Sequence, residues 1–249
     1  MRFKTCSGDI SITHETRTAL FAAVKTALLA KTGFALATLN LDHLVKLVHD
    51  QKFAVAYGRH DMIVADGNPI VWLNRLAGQD IELLPGSDLV LPLARLAAET
   101  DTPIALLGST DATLTDTARA MQADIAGLKV GFSVAPPFGF DPSGPEAIAL
   151  LKQLHTSGAG LCFLALGAPK QEILASLGRK HAPNVGFISI GAGLDFIAGS
   201  QKRAPRVVRA LAMEWLWRLL SNPARLAARY ARCFAILPGL IFSARKQRK

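Results

Sequence analysis

The sequence predicts an α/β fold, a mostly parallel sheet sandwiched by helices and followed by a basic, amphipathic helical appendage, on three observations. Short apolar runs, often β-branched, alternate with longer segments of helical period, as parallel strands joined by helical crossovers do. Glycines and small polar residues follow most of these runs, where an open parallel sheet presents its carboxyl edge. After Gly199 the composition changes to Arg, Trp, Leu and Ala at helical spacing, opening on Lys202-Arg203-Ala204-Pro205. With 249 residues, 50% of them apolar, the chain fills one large core rather than two. Residues 1–199 are therefore expected to form a single Rossmann-like body and residues 200–249 the appendage.

In chain order, strands are expected near Phe34–Leu39, Met62–Ala65, Ile104–Leu107, Lys129–Phe132, Leu161–Leu166 and Phe187–Ile190, each a brief apolar run bounded by turn residues. Helices are expected over His14–Leu29, Leu41–Lys52, Pro69–Ala77, Asp88–Glu99, Ala112–Ile125, Glu146–His155 and Lys170–Lys180. Asn40 or Asp42 can cap the second of these, and Ser143 precedes Pro145 at the sixth. Pro223, with Asn222 as cap, starts a new helix rather than continuing the one before it.

Charge is spread unevenly. Residues 201–249 hold twelve of the 28 Lys and Arg and one acid, Glu214, a net of +11, whereas the first 200 residues sum to −2. A near-neutral body with a cationic end points to a localised anionic partner: a membrane, a nucleic acid or a phosphorylated substrate. Arg218, Arg225, Arg229 and Arg232 recur at spacings of seven, four and three, one stripe if the region is a single helix, an arrangement that a helix start at Pro223 interrupts. Trp215, Trp217 and Tyr230 favour interfaces. The apolar run Cys233–Phe242, with Pro238 and Gly239 inside it, has about half the length a bilayer-spanning helix needs, so it is expected to lie in the plane of a membrane and not to cross it. The first ten residues show no secretory signal, and Cys6, Cys162 and Cys233 stand too far apart for a disulfide framework or a zinc site. A reducing cytoplasm is the expected setting.

The strand tips hold Thr38 and Asn40, Asp66 and Gly67, Gly108 and Ser109, Gly167 to Glu172, and Gly191 to Asp195. Asp66 is the candidate general base, because a carboxylate at a strand tip reaches a ligand and partial burial raises its pKa. Asp66-Gly67-Asn68-Pro69 is equally ordinary turn chemistry. Thr38 and Asn40 share one face of an extended segment and can hydrogen-bond a sugar or a base edge, while Asn40 can instead cap the next helix. Gln171, two residues after a proline at a helix start, faces the same rim. Gly191-Ala192-Gly193 begins a dinucleotide fingerprint that Phe196 leaves incomplete, so an NAD-dependent reading lacks its key motif. Pro136 to Phe140 is an aromatic loop that stacks on a base, leans on lipid or simply packs. The histidines show no metal-ligand spacing, and no Asp-x-Asp occurs, the pair with which many sugar-nucleotide enzymes hold a divalent ion. No cofactor and no metal are expected, which leaves the arginines of the tail to neutralise a departing diphosphate. Nucleic-acid binding through the tail is the alternative function, although no aromatic-and-basic sheet pattern accompanies it.

Taken in order, Thr38-x-Asn40-x-Asp42-His43, Ala65-Asp66-Gly67-x-Pro69-x-Val71-Trp72, Gly86-Ser87-Asp88-Leu89, Leu106-Leu107-Gly108, Gly167-x-Pro169-Lys170-Gln171-Glu172, Gly191-Ala192-Gly193-x-Asp195-Phe196-x-Ala198-Gly199, Lys202-Arg203-Ala204-Pro205 and Glu214-Trp215-Leu216-x-Arg218-Leu219 resemble the motifs of the WecG/TagA/CpsF family of bacterial glycosyltransferases, glycosyltransferase family 26. The resemblance runs from about Thr38 to Tyr230. It implies metal-independent, inverting transfer of a hexose of N-acetylmannosamine, N-acetylmannosaminuronic acid or glucose type. The donor would be a UDP-sugar and the acceptor a polyprenyl-diphosphate-linked saccharide, in cell-surface polysaccharide or exopolysaccharide synthesis. It also implies a catalytic domain over residues 1–199 and a membrane-associating appendage over 200–249, peripheral on the inner face of the cytoplasmic membrane. The anionic membrane surface would be a partner, nucleic acid would not, and homo-oligomerisation is left open. Asp66 matches the proposed base of the family. Thr38, Asn40 and Gln171 match pocket positions, and Arg218 and Arg225 match tail arginines that close over the diphosphate. Gly108, Glu172, Asp195, Arg203 and Arg229 are further substrate-contact candidates by their places at the strand tips and in the tail. There are two departures. Glu82-Leu83-Leu84-Pro85 lacks the arginine that members carry before Gly-Ser-Asp, and Ala228 stands where a third tail arginine is expected, with Arg229 beside it.

Overall fold

The computed structural model of the chain describes residues 1–201, 204–205, 208 and 213–248, with the backbone alone at Arg218 and Arg225. Strands β1 (Arg2–Thr5) and β2 (Gly8–Ser11) make an antiparallel hairpin. The other six strands are β3 (Phe34–Leu39), β4 (Met62–Ala65), β5 (Ile104–Gly108), β6 (Val130–Val134), β7 (Leu161–Ala165) and β8 (Gly186–Ser189). They pair in parallel in the order β4-β3-β8-β7-β5-β6, a Rossmann-like sheet. The described helices are α1 (Arg17–Leu29), α2 (Leu41–Leu47), α3 (Gln51–Tyr57), α4 (Asn68–Leu76), α5 (Gly86–Glu99), α6 (Asp111–Asp124), α7 (Pro145–Thr156), α8 (Lys170–His181), α9 (Gly193–Ile197), α10 (Glu214–Ser221) and α11 (Pro223–Gln247).

Every residue of β3 and of β5 is buried, which is why those runs read as continuous apolar stretches: helices cover both faces of the sheet. Alternate side chains serve opposite layers. Leu36, Ile104, Leu106 and Phe163 pack with residues of α1, α5 and α6, such as Leu20, Leu93 and Met121. Ala105, Leu107, Cys162 and Leu164 pack with Leu151 of α7 and Leu174 of α8. A third cluster joins β3 and β4 to α2, α3 and α4 through Leu44, Phe53, Tyr57 and Ile70, and it takes in Phe3 and Ile10 of the hairpin.

All six expected strands and all seven expected helical regions are present, with three differences. The β1–β2 hairpin had no expected counterpart. The segment expected as one helix, Leu41–Lys52, is two, because Asp50 adopts extended backbone and its side chain accepts Phe53 N–H at 2.9 Å, starting α3 afresh. The third difference concerns the carboxyl end. There α11 runs through Pro238, and Leu226–Gln247, which contains an 18-residue window of mean hydropathy 1.3, is long and apolar enough to cross a membrane by length and composition. The expectation of a shorter segment counted only the uninterrupted apolar run, whereas an internal proline removes one backbone donor without necessarily ending a helix.

One stripe of α11 is seated on the body. Cys233 and Ala244 are buried, and Ile236 and Leu240 pack against the cluster that holds Leu44, Ile70 and Phe3. Gln247 closes the seat: its Oε1 accepts Arg2 N–H at 2.7 Å and its Nε2 donates to Arg2 O at 2.9 Å. Elsewhere on the helix Phe242 is 73% and Phe234 50% exposed.

Candidate active site

The carboxyl ends of the parallel strands form one rim. At its β4 end, Asp66 N–H donates to Leu39 O at 2.7 Å, extending the β3 pairing one residue past the strand, and Gly67, at φ 103°, turns the chain into α4. Asp66 is thereby fixed at a strand tip, half-buried. The segment before α5 runs alongside: Ala65 and Leu83 form an isolated parallel bridge, and Leu84 N–H donates to Ala65 O at 2.8 Å. Leu83, 37% exposed, is therefore paired with the residue that precedes Asp66. The segment Glu82-Leu83-Leu84-Pro85, which lacks the expected arginine, thus runs beside the candidate base.

Thr38 is buried, and its Oγ1 donates to Ser189 O at 3.3 Å, tying the tips of β3 and β8. Asn40 is half-buried and caps α2, its Oδ1 accepting His43 N–H at 3.0 Å. Gly108 has a local reason to be glycine: at φ 117° a Cβ there would stand 2.5 Å from the carbonyl carbon and oxygen of Ala165 on β7. Ser109, at φ 54°, donates from Oγ to Asp195 Oδ1 at 2.6 Å, and Gln201 Nε2 donates to Asp195 Oδ2 at 3.0 Å. Asp195 thus bridges the β5 tip and the segment after β8.

Beneath the rim lies a buried polar cluster. Gln171 Nε2 donates to Glu172 Oε1 at 2.7 Å, and Gln171 Oε1 accepts Gly191 N–H at 3.2 Å, which clips the start of α8 to the turn after β8. Gln171 is 2% and Glu172 0% exposed, so Glu172 lies behind the rim and is joined to it through Gln171. Burial pushes the Glu172 carboxyl up to about 7. His43 Nε2 is 4.0 Å from Glu172 Oε1, but burial holds the imidazole down to about 3, so it is neutral there. The other ring nitrogen, Nδ1, is 3.3 Å from Tyr57 Oη. Burial pushes the Tyr57 phenol up, and the charges of Glu172 and Asp66 add to the effect.

A second polar group joins the appendage to the rim. Lys46 Nζ meets Asp42 Oδ2 at 2.7 Å and donates to Ala168 O at 3.0 Å. Arg229 Nε lies 3.2 Å from Asp42 Oδ1, a charge contact rather than a well-directed hydrogen bond. Burial alone would raise the Asp42 carboxyl, yet the Lys46 hydrogen bond and the charges of Arg229 and Lys46 hold it below the usual carboxylate range.

Crossovers leave the sheet in opposite directions at β5 and β7, the former toward β6 and the latter toward β8. Open parallel sheets bind ligands at such a reversal. An open cavity of about 590 Å³ lies there, with Ser109, Thr110, Phe138, Phe140, Leu166 and Lys170 on its wall. Phe140 is buried, Phe138 is fully exposed, and Lys170 Nζ donates to Phe140 O at 2.9 Å.

The chain matches the model of the Glycosyl transferase WecG/TagA/CpsF family over residues 6–249. It belongs to that family. The protein is accordingly a glycosyltransferase of cell-surface polysaccharide synthesis. Of the expected contact residues, the rim gathers Thr38, Asn40, Asp66, Gly108, Gln171 and Asp195 on adjoining tips, with Glu172 behind them, and Arg229 approaches Asp42 from α11. Arg203 lies outside the described residues, as do the side chains of Arg218 and Arg225 on α10 and α11. Sequence reasoning singled out neither Lys46 nor Tyr57, and it read Asp42 only as a possible helix cap and motif member and Ser109 only as the strand-tip neighbour of Gly108. The signal available for Asp42 and Lys46 was their separation of four on a helix, which pairs opposite charges.

Proposed function

We propose that the glycosyltransferase moves a hexose of N-acetylmannosamine, N-acetylmannosaminuronic acid or glucose type from a UDP-sugar to a polyprenyl-diphosphate-linked saccharide, with inversion and without a metal. The observation that carries this reading is the half-buried Asp66 at the β4 tip, on the same rim as the cavity at β5 and β7. The tips of β4 and β5 are four strand spacings apart, about 19 Å, a span suited to an extended ligand of nucleoside, diphosphate and sugar. The nucleoside lies in the cavity against Phe138, with Lys170 near the diphosphate, and the sugar reaches over the β8 and β3 tips toward Asn40 and Asp66.

Asp66 takes the proton from the acceptor hydroxyl as that oxygen forms its bond to the anomeric carbon. The bond from that carbon to the diphosphate oxygen breaks, the configuration inverts, and UDP leaves with the electron pair. Charge develops on the departing diphosphate and is met by guanidinium groups of the tail, with Arg218 and Arg225 in that role. Residues 200–249 act as the membrane-associating appendage on the inner face of the cytoplasmic membrane: the exposed aromatic residues of α10 and α11 enter the interface and the surplus of Lys and Arg meets anionic lipid.

The test is a donor screen of the purified chain with a short-chain lipid-diphosphate saccharide acceptor, with and without chelator. Transfer from one UDP-sugar, unchanged by chelator, is expected. Loss of transfer on chelation contradicts the metal-independent scheme, and transfer only from a donor other than a UDP-sugar contradicts the donor class.

A further inference from the structure

We propose that Asp42 is a positioning residue for glycosyl transfer: its carboxylate ties α11, through Arg229, and the Gly167–Pro169 loop before α8, through Lys46, to the first turn of α2, so that seating the terminal helix and setting the loop depend on one group. The proposal rests on the glycosyltransferase reading above for its catalytic consequence, but not for its structural one.

Each carboxylate oxygen of Asp42 faces a different cation, Oδ2 toward Lys46 at 2.7 Å and Oδ1 toward Arg229 at 3.2 Å. The Asp42 side chain is 9% exposed, so these are not ornaments on a solvated face, where ion pairs contribute little. Lys46 is 35% and Arg229 40% exposed, so it is the Asp42 charge that goes poorly compensated when either cation is removed, and this couples the two contacts through one carboxylate. Lys46 carries the connection onward to Ala168 O, in the loop that leads into α8 and its first-turn residues Gln171 and Glu172. Besides these two cations, His43 on α2 and Glu172 on α8 both feel the Asp42 charge.

The stripe of α11 places Arg229 for this role. It lies one turn before Cys233 in the series 229, 233, 236, 240, 244, 247, whose later members are the apolar seat and the Gln247 clip to Arg2. The seat fixes the far half of the helix, and the Arg229 contact holds the half next to the rim. Arg229 thus serves as an anchor for the basic helix, and its charge acts on Asp42.

Two variants in the full chain, Arg229→Gln and Asp42→Asn, and their combination test this as a cycle. Amide hydrogen exchange is read at Gln171 and Ile173, whose N–H groups donate to Gly167 O and Pro169 O, and tryptic cleavage is read after Arg232 of α11, a site that every variant keeps. Each single variant is expected to speed both, Arg229→Gln acting on the loop through Asp42 and Lys46, and the double variant is expected to be no faster than the faster single. In the transfer assay the same variants are expected to lower kcat about tenfold with donor KM within about twofold, again without addition in the double. Unchanged loop exchange in Arg229→Gln, or losses that add, would overturn the proposal. If no donor is turned over by the unaltered chain, the functional reading fails while the exchange and cleavage results still decide the coupling.

Discussion

Gln171 donates its amide to Glu172 Oε1 at 2.7 Å in a place where neither side chain reaches water. The pair is buried, adjacent in sequence, and oriented by a third group, because Gln171 Oε1 is committed to Gly191 N–H. Glu172 has an ordinary carboxyl value of about 4.3 when unfolded and about 7 in the fold. Between those values the folded chain holds a proton that the unfolded chain has released, so stability falls as pH rises through the window, and the cost is complete above about 7. Glu172→Gln keeps an acceptor for Gln171 and removes that cost. Its stability relative to the unaltered chain is expected to improve by about 2 kcal/mol between pH 5 and pH 8, read by denaturant unfolding at the two pH values. His43 and His60, held down by burial to about 3 and about 4, have the opposite sign: they withdraw stability as pH falls below about 6.5. They are common to both proteins and cancel in the comparison. An offset independent of pH would show that Glu172 is not held protonated by its surroundings.

Gly108 and Gly139 separate two causes of glycine use. Both have positive φ, at 117° and 86°, but a Cβ on Gly108 meets the Ala165 carbonyl at 2.5 Å while one on Gly139 meets nothing within 4 Å. Gly108→Ala is expected to lose about 3 kcal/mol or more by denaturant unfolding, and Gly139→Ala about 1 kcal/mol. Equal losses would mean that the β5–β7 contact yields easily.

Leu220 and Phe242 are each 73% exposed and lie on α10 and α11. Changing both to Ser removes apolar surface that the fold does not use. Partition onto anionic vesicles is expected to weaken about tenfold with the melting temperature unchanged. Binding that depends on salt alone, and not on these two side chains, would assign the appendage a purely electrostatic role.

The sheet was legible because its strands lie between two helical layers and must be apolar throughout: β3 and β4 fall on the expected limits of Phe34–Leu39 and Met62–Ala65 to the residue. The β1–β2 hairpin was not, since its two strands of four residues carry Arg2, Lys4 and Asp9 and bury only Phe3 and Ile10. The break at Asp50 was hidden because apolar spacing continues on both sides of it, and only cap geometry marks the new helix. Within the candidate site, the strand tips could be read from the glycines and polar residues that end each run. The layer beneath could not. Glu172, His43 and Tyr57 come from α8, α2 and α3, and nothing local in any one segment announces that they meet. The same holds for Arg229 and Asp42, separated along the chain but joined by the seat of α11.

Asp66→Asn tests the central claim most directly, with UDP affinity and sugar transfer measured on the same preparation. The substitution keeps the shape of the β4 tip and removes the basic oxygen. UDP binding within about twofold of the unaltered chain and turnover lower by about two or more orders of magnitude are expected. Undiminished transfer by this variant would contradict the assignment of Asp66 as the group that accepts the proton.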